Sequence, residues 1–225
     1  MDQTTLKNLL FIGDSITDCS RARPVGCAVG LASNLANALG SGYVSLVDAM
    51  LVARHPDKQF NTFNMGCNGH RITDLAARWQ SDVLDLSPTL LIIFIGINDV
   101  WRQFDRPLDK NQVDLKQFTA TYHAIVEQSI TQVEEIMLVA PYFLQPNPND
   151  PMRIMMLQYA KKVAQIAAQW DLACVDLQAV FDQFMKFRDP ASISQDKIHL
   201  NKIGHMMIAD AVYQQLDKHI LISEA

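Results

Sequence analysis

The chain has 225 residues, 49% hydrophobic and 19% charged, with a net charge of −5. That length suits one domain with a substantial core. The acidic balance argues against a nucleic-acid or anionic-membrane partner, since either attracts a basic surface.

Short apolar runs alternate with stretches of helical period. The first run, Leu9–Ile12, ends at Gly13-Asp14-Ser15. Helical period follows at Tyr43–Arg54, and a second strand is expected over Phe60–Asn64. The pattern then predicts one helix over Ile72–Leu86, a strand over Leu90–Gly96 and a helix over Asp114–Gln128. Beyond these come a strand at Ile136–Ala140, a helix at Pro151–Gln169 capped by Asp150, and a strand at Ala173–Asp176. Helices over Leu177–Phe187 and Lys202–Lys218 close the series. Continuous apolar strands alternating with helices imply parallel pairing covered on both faces. The expected fold is a single α/β domain over residues 1–225, three-layered, with a five-stranded parallel sheet.

No apolar run is long enough to span a membrane, and no signal-peptide core follows the polar Met1–Asn8. The four cysteines, Cys19, Cys27, Cys67 and Cys174, form no C-x-x-C pair and no zinc-finger spacing. Reduced thiols in a cytoplasmic protein are the reading.

In a parallel sheet, ligands meet the carboxyl ends of the strands. Gly13-Asp14-Ser15, Gly66 to His70 and Gly96 to Asp99 all follow strands and can converge on one edge. Ser15 requires a base to act as a nucleophile. Of six histidines, His55, His123 and His219 read as solvated surface groups. His70 reads as a pocket residue without chemistry, and His205 as packing or capping the last helix. His199 stands in Asp196-Lys197-Ile198-His199, where a carboxylate three residues earlier can hold one ring nitrogen and leave the other for a serine. Asp14 and Asp99 read as turn-holding carboxylates.

Taken in order, Gly13-Asp14-Ser15-Ile16-Thr17, Asn64-x-Gly66, Gly96-x-Asn98-Asp99 and Asp196-x-x-His199 resemble the SGNH (GDSL-type) hydrolases, across nearly the whole chain. The resemblance implies a flavodoxin-like α/β/α fold. It also implies Ser15 as nucleophile, His199 as base and Asp196 as its orienter. The oxyanion hole would come from the N–H groups of Ser15 and Gly66 and the amide of Asn98. No metal or cofactor is implied. Without a G-x-S-x-G elbow, a loose turn and a shallow, exposed site are expected.

Longer stretches, Gly13–Pro24, Ala77–Asp85, Ile95–Asp105 and Asn149–Arg153, resemble the acetyl-xylan esterase subgroup. The implied substrate is a small ester, in particular an acetylated xylo-oligosaccharide. Gln195 and Leu200 depart from that subgroup, which carries tryptophan and proline there, and they bear on sugar contact and loop rigidity. Trp101 reads equally as pocket wall or core anchor, with Arg102 beside it. Arg21 and Arg23 read as functional, as partners of surface carboxylates or as a subunit contact. The apolar last helix and the methionines permit a homo-oligomer. Within the family, a short-chain lipase, thioesterase or lysophospholipase is the alternative. A flavodoxin-type phosphate binder would leave His199 and Asn98 without a task.

Overall fold

The computed structural model describes residues 6–22, 37–108 and 111–222, with side chains through residue 218. Five strands form one sheet: β1 (Leu6–Gly13), β2 (Gln59–Gly66), β3 (Leu90–Phe94), β4 (Glu135–Ala140) and β5 (Ala173–Asp176). Their order is β2-β1-β3-β4-β5, and every pairing is parallel. Each strand occupies a run expected from the apolar pattern. β1 and β2 extend beyond their apolar segments because the ladder continues through polar residues such as Asn8 and Asn61.

The helices of ordinary length are α2 (Tyr43–Arg54), α5 (Ile97–Asp105), α6 (Leu115–Ser129), α7 (Pro151–Gln169), α8 (Leu177–Met185) and α9 (Lys202–Ile222). Shorter ones are α1 (Ser15–Asp18), α3 (Ile72–Ala77) and α4 (Trp79–Asp82). Two groups of mutually contacting helices sandwich the sheet: α2, α8 and α9 in one, α3, α5, α6 and α7 in the other. β3 is buried at every position, including Leu91, Ile92 and Ile93, as a strand covered on both faces must be. Asp114, Asp150 and Asp176 cap α6, α7 and α8 by accepting from Gln117, Arg153 and Ala179 N–H groups at 2.7, 3.0 and 3.0 Å.

Two expectations are corrected. The single helix over Ile72–Leu86 is broken at Arg78 into α3, α4 and a 3₁₀ turn at Leu84–Leu86. Arg78 reaches Met65 O at 2.8 Å and Asp82 at 2.6 Å, while its neighbour Trp79 is buried and donates to Ser129 Oγ at 3.0 Å. These contacts from outside the segment hold the chain where the helix is interrupted. The second correction is α5. The strand expected to run to Gly96 stops at Phe94, and Gly96, at φ 135°, turns the chain straight into a helix. Ile97, Val100, Trp101 and Phe104 carry the helical spacing that marks it.

The carboxyl ends of β2, β1 and β3 lie level. Gly13 pairs with Gly66 on one side and Phe94 on the other, and Cys67 N–H extends the ladder to Gly13 O at 3.0 Å. Residues leaving these strands are therefore delivered to one edge, at the switch point where the chain passes from β2 across to β3. α1 then folds over Gly66 so tightly that a Cβ there would lie 2.2 Å from Asp18 N and 2.6 Å from the Thr17 carbonyl carbon. Because these are backbone atoms, Gly66→Ala should lower unfolding free energy by about 1–3 kcal/mol or more, read from the urea midpoint against the unmodified protein.

Candidate active site

Ser15 opens α1 immediately after β1, with Asp14 as the N-cap accepting from Ile16 N–H at 2.9 Å. The cap turns the chain from strand to helix within one residue and leaves Ser15 half-buried at the mouth of a cavity of about 340 Å³. Across it, Ser15 Oγ lies 2.9 Å from His199 Nε2, and His199 Nδ1 lies 2.6 Å from Asp196 Oδ2. Since the carboxylate can only accept, Nδ1 carries the proton and Nε2 presents its lone pair to the serine hydroxyl.

The loop that aims this histidine is built around Asp196. Its Oδ1 accepts from Ser194 Oγ at 3.1 Å, Ile198 N at 3.0 Å and His199 N at 2.8 Å. Lys197 takes a left-handed conformation, φ 66°, to bring both N–H groups round. From outside, Tyr142 donates to Ile198 O at 2.6 Å and Leu144 N–H to Lys197 O at 3.0 Å. Partial burial would raise the Asp196 carboxyl, but these donors and the imidazole outweigh it and hold it down at about 2. The His199 and Asp196 side chains stay 45% and 44% exposed, as expected of a shallow site.

Asn98, in the first turn of α5, is buried; its amide donates to His70 O at 3.1 Å, and Oδ1 faces Arg102 Nη2 at 3.5 Å. That fixes Nδ2 toward the loop after β2 while leaving it a second hydrogen to donate. Gly66 does not fit the part given to it. Its N–H donates to Asn64 Oδ1 at 2.9 Å and its carbonyl accepts from Arg21 Nε at 2.8 Å, so both polar groups are committed inside the protein. Three residues on, Gly69 has φ 78° and open space where a Cβ would stand, and its N–H takes no acceptor among the described residues.

Other residues are settled by their contacts. Arg21 is no surface cation but is buried against Gly66, whereas Arg23 and Cys27 lie outside the described residues. Trp101 is half-buried with its ring 6.1 Å from that of His199 in an edge-to-face arrangement, and the Arg102 guanidinium stacks over it at 4.7 Å. It backs the His199 imidazole. Arg102 also pairs with Asp105. Gln195 turns away to Ala191 O at 3.0 Å, and Leu200 packs over Gly204 while lining the cavity. His70 Nδ1 accepts from Arg78 Nε at 3.3 Å. His123 faces Gln169 at 2.9 Å.

His55 is not a solvated group: it is held by Asp217 at 2.9 Å and Tyr213 at 3.1 Å. The His219 side chain lies outside the described residues. His205 is buried and lines the cavity, a position its place at the head of α9 did not reveal. Among the described residues, no group of three or more histidine, cysteine or acidic side chains is arranged to hold a metal. Among them too, no helix is long and apolar enough to cross a membrane.

A serine hydroxyl, imidazole and carboxylate in relay on the edge of a parallel α/β sheet define a serine hydrolase centre. Comparison with known proteins gives the family: residues 11–207 match the GDSL-like lipase/acylhydrolase family, and the chain belongs to it. It is a carboxylic ester hydrolase. It is 41% identical over 211 residues to an acetylxylan esterase of Geobacillus stearothermophilus, covering 93% of this chain and 94% of that one. The structure of that organism's acetylxylan esterase Axe2 superposes with a TM-score of 0.87 at 41% identity, over 92% of this chain and 93% of that one. LAE5, an alpha/beta hydrolase from the metagenome of Lake Arreo, matches at 0.85 with 40% identity over the same shares. Catalytic mutants of Axe2 have been solved in which a serine, a histidine or an aspartate becomes alanine.

Asp14 offers a pH test of the site's interior. Burial pushes its carboxyl up to about 7, only partly offset by the Ile16 N–H and the nearby His199, and Oδ2 has no hydrogen-bond partner. The unfolded chain loses this proton near 3.8. Between the two values the folded state alone keeps it, so the stabilising contribution present below 3.8 is lost as pH rises through about 7. Asp14→Asn should therefore gain stability relative to the parent as pH is raised across that window, read as the difference in urea midpoints at each pH.

Proposed function

We propose that the protein is a serine esterase that releases short acyl groups, acetyl above all, from acetylated xylo-oligosaccharides or related sugars. The observation that carries this is the relay from Asp196 Oδ2 through His199 to Ser15 Oγ, at 2.6 and 2.9 Å, opening into a cavity. Ser15 is the nucleophile. Its proton passes to His199 Nε2 as Oγ attacks the acyl carbon, and the Asp196 carboxylate stabilises the imidazolium that forms.

Charge then gathers on the former carbonyl oxygen and requires donors already in place. Ser15 N–H and the second Asn98 amide hydrogen serve, with Gly69 N–H as the third donor in place of Gly66. Collapse expels the sugar hydroxyl, protonated by His199, and leaves an acyl-enzyme on Ser15. Water, activated by the same imidazole, releases the acid. The sequence of steps requires no metal or cofactor.

The substrate class rests on similarity to an acetylxylan esterase and on the polar lining contributed by Asp18, Ser20, Asn68 and His205. Exposure of the triad suits an ester carried on a larger molecule. The same residue types as in the Axe2 catalytic mutants form the triad proposed for this chain. The function fits a cytoplasmic protein, and exposed Ile154, Leu157, Ile203 and Met206 provide apolar surface for a homo-oligomer.

Hydrolysis of p-nitrophenyl acetate, butyrate and octanoate, followed by acetate release from acetylated xylo-oligosaccharides, tests this reading. Ser15→Ala and His199→Ala should abolish turnover with an unchanged melting temperature. Asp196→Asn should lower kcat by about 10⁴ by spoiling the imidazole tautomer, and Asn98→Ala by about 10²–10³. Preference for octanoate would transfer the protein to the lipase or thioesterase class; full activity of Ser15→Ala would overturn the mechanism.

A further inference from the structure

The cavity holds a thiol as well as the Ser15 hydroxyl. Cys19, half-buried, lines it together with Ser15, His199, Leu200 and His205. Its sulfur lies 3.5 Å from His205 Nε2 and 3.6 Å from Ser41 Oγ. The far side of the His205 ring fixes which nitrogen bears hydrogen. Tyr43 N–H points at Nδ1 from 3.3 Å, and a backbone N–H can only donate, so Nδ1 holds a lone pair and the proton sits on Nε2. Burial drives His205 down to about 4, with the His199 charge adding to the effect, so the ring stays neutral in this tautomer. The N–H therefore faces Cys19, a donor for the charge that sulfur carries when it attacks.

Local backbone is arranged around this pair. Cys19 ends α1 in a left-handed conformation, φ 38°, unusual for a residue with a side chain. Opposite it stands Gly42, where a Cβ would come within 2.7 Å of Cys19 Cβ, 2.8 Å of its sulfur and 3.1 Å of His205 Cε1. Only the bare glycine leaves room for thiol and imidazole together. Neither Cys19 nor His205 takes part in the proton and acyl transfers proposed at Ser15.

We infer that Cys19 is a modification site, where a small disulfide forms a mixed disulfide that fills the cavity and shuts off the esterase. The thiolate attacks one sulfur of the disulfide, a new S–S bond forms, the old one breaks, and one thiolate leaves and takes up a proton. A thiol reductant reverses the exchange. Loss of activity rests on the proposed role of Ser15, because the group on Cys19 occupies the space an ester must enter to reach it; the exchange itself does not.

The test uses full-length protein and dithiodipyridine, an uncharged aromatic disulfide, with thiopyridone release, the mass of each cysteine peptide and p-nitrophenyl acetate hydrolysis followed together. The expected result is an adduct on Cys19, loss of most of the rate, and recovery with dithiothreitol. Cys19→Ser should keep its own untreated rate after the same exposure. His205→Gln, checked for an unchanged melting curve, should label more slowly at Cys19. Adducts confined to Cys27, Cys67 or Cys174 would overturn the proposal, as would full modification of Cys19 without loss of rate, or equal inactivation of Cys19→Ser. Ser15→Ala should still label at Cys19, so a failure of the esterase reading remains distinct from a failure of this one.

Discussion

The level ends of β2, β1 and β3 are the constraint on which the site depends. Side chains alternate along a strand, so a slip of one residue would exchange the two packed faces and undo the fit of each against its helices. Buried Phe11, Ile12, Phe63, Met65, Ile92 and Ile93 hold the register against that slip. With the register held, Gly13 is fixed between Gly66 and Phe94. It must lack a side chain, because a Cβ would meet Phe94 O at 2.3 Å and Thr17 Oγ1 at 2.4 Å. That closeness lets a four-residue helix start one residue after the strand and present Ser15 at the edge. The serine's position is a consequence of backbone packing beneath it.

Two aspartates near Ser15 show how hydrogen-bond donors, more than burial alone, set charge. Asp196 is exposed yet accepts four hydrogen bonds, and it stays ionised where its charge faces His199 Nδ1. Asp14, adjacent to Ser15, accepts from Ile16 N–H on Oδ1, has no partner on Oδ2, and resists ionisation. Asp99 behaves similarly: burial raises it well above the ordinary carboxylate range although both oxygens face Ile72 N–H at 3.1 and 3.3 Å. The ionised Asp196 carboxylate thus stands directly against His199 Nδ1.

What could be read from the sequence follows from range. The five strands were legible because burial on both faces leaves continuous apolar runs, and Asp150 with Pro151 marked the start of α7 locally. The contact between Asp196 and His199 was legible in their three-residue spacing, whereas Ser15, far away in the chain, was joined to them only by the resemblance that the ordered motifs carry. The break at Arg78 was hidden, since it depends on Met65, Asp82 and Ser129 reaching the chain from elsewhere. Helix α5 had its signal in Ile97, Val100, Trp101 and Phe104, masked by the attention that Asn98 and Asp99 draw to a turn. Gly66 misled because a glycine at a strand end suits two tasks. Here closeness to α1 claims it, and the bond from its N–H to Asn64 withdraws the donor.

His199 and His205 stand six residues apart on one segment and are set to opposite duties by what meets Nδ1. A carboxylate meets it in His199, so the proton resides there and Nε2 is free to take one from Ser15. In His205 a backbone N–H meets it, so the proton is on Nε2 and is offered to Cys19. Asn201 locks the segment between them: its Oδ1 accepts from Ile203 and Gly204 N–H at 3.0 and 3.3 Å, and its carbonyl from His205 N–H at 3.0 Å. One rigid helix start therefore places a base over the serine and a donor beside the cysteine. Because both imidazoles flank the turn that Asn201 caps, the same short stretch of backbone sets the approach of His199 to Ser15 and of His205 to Cys19.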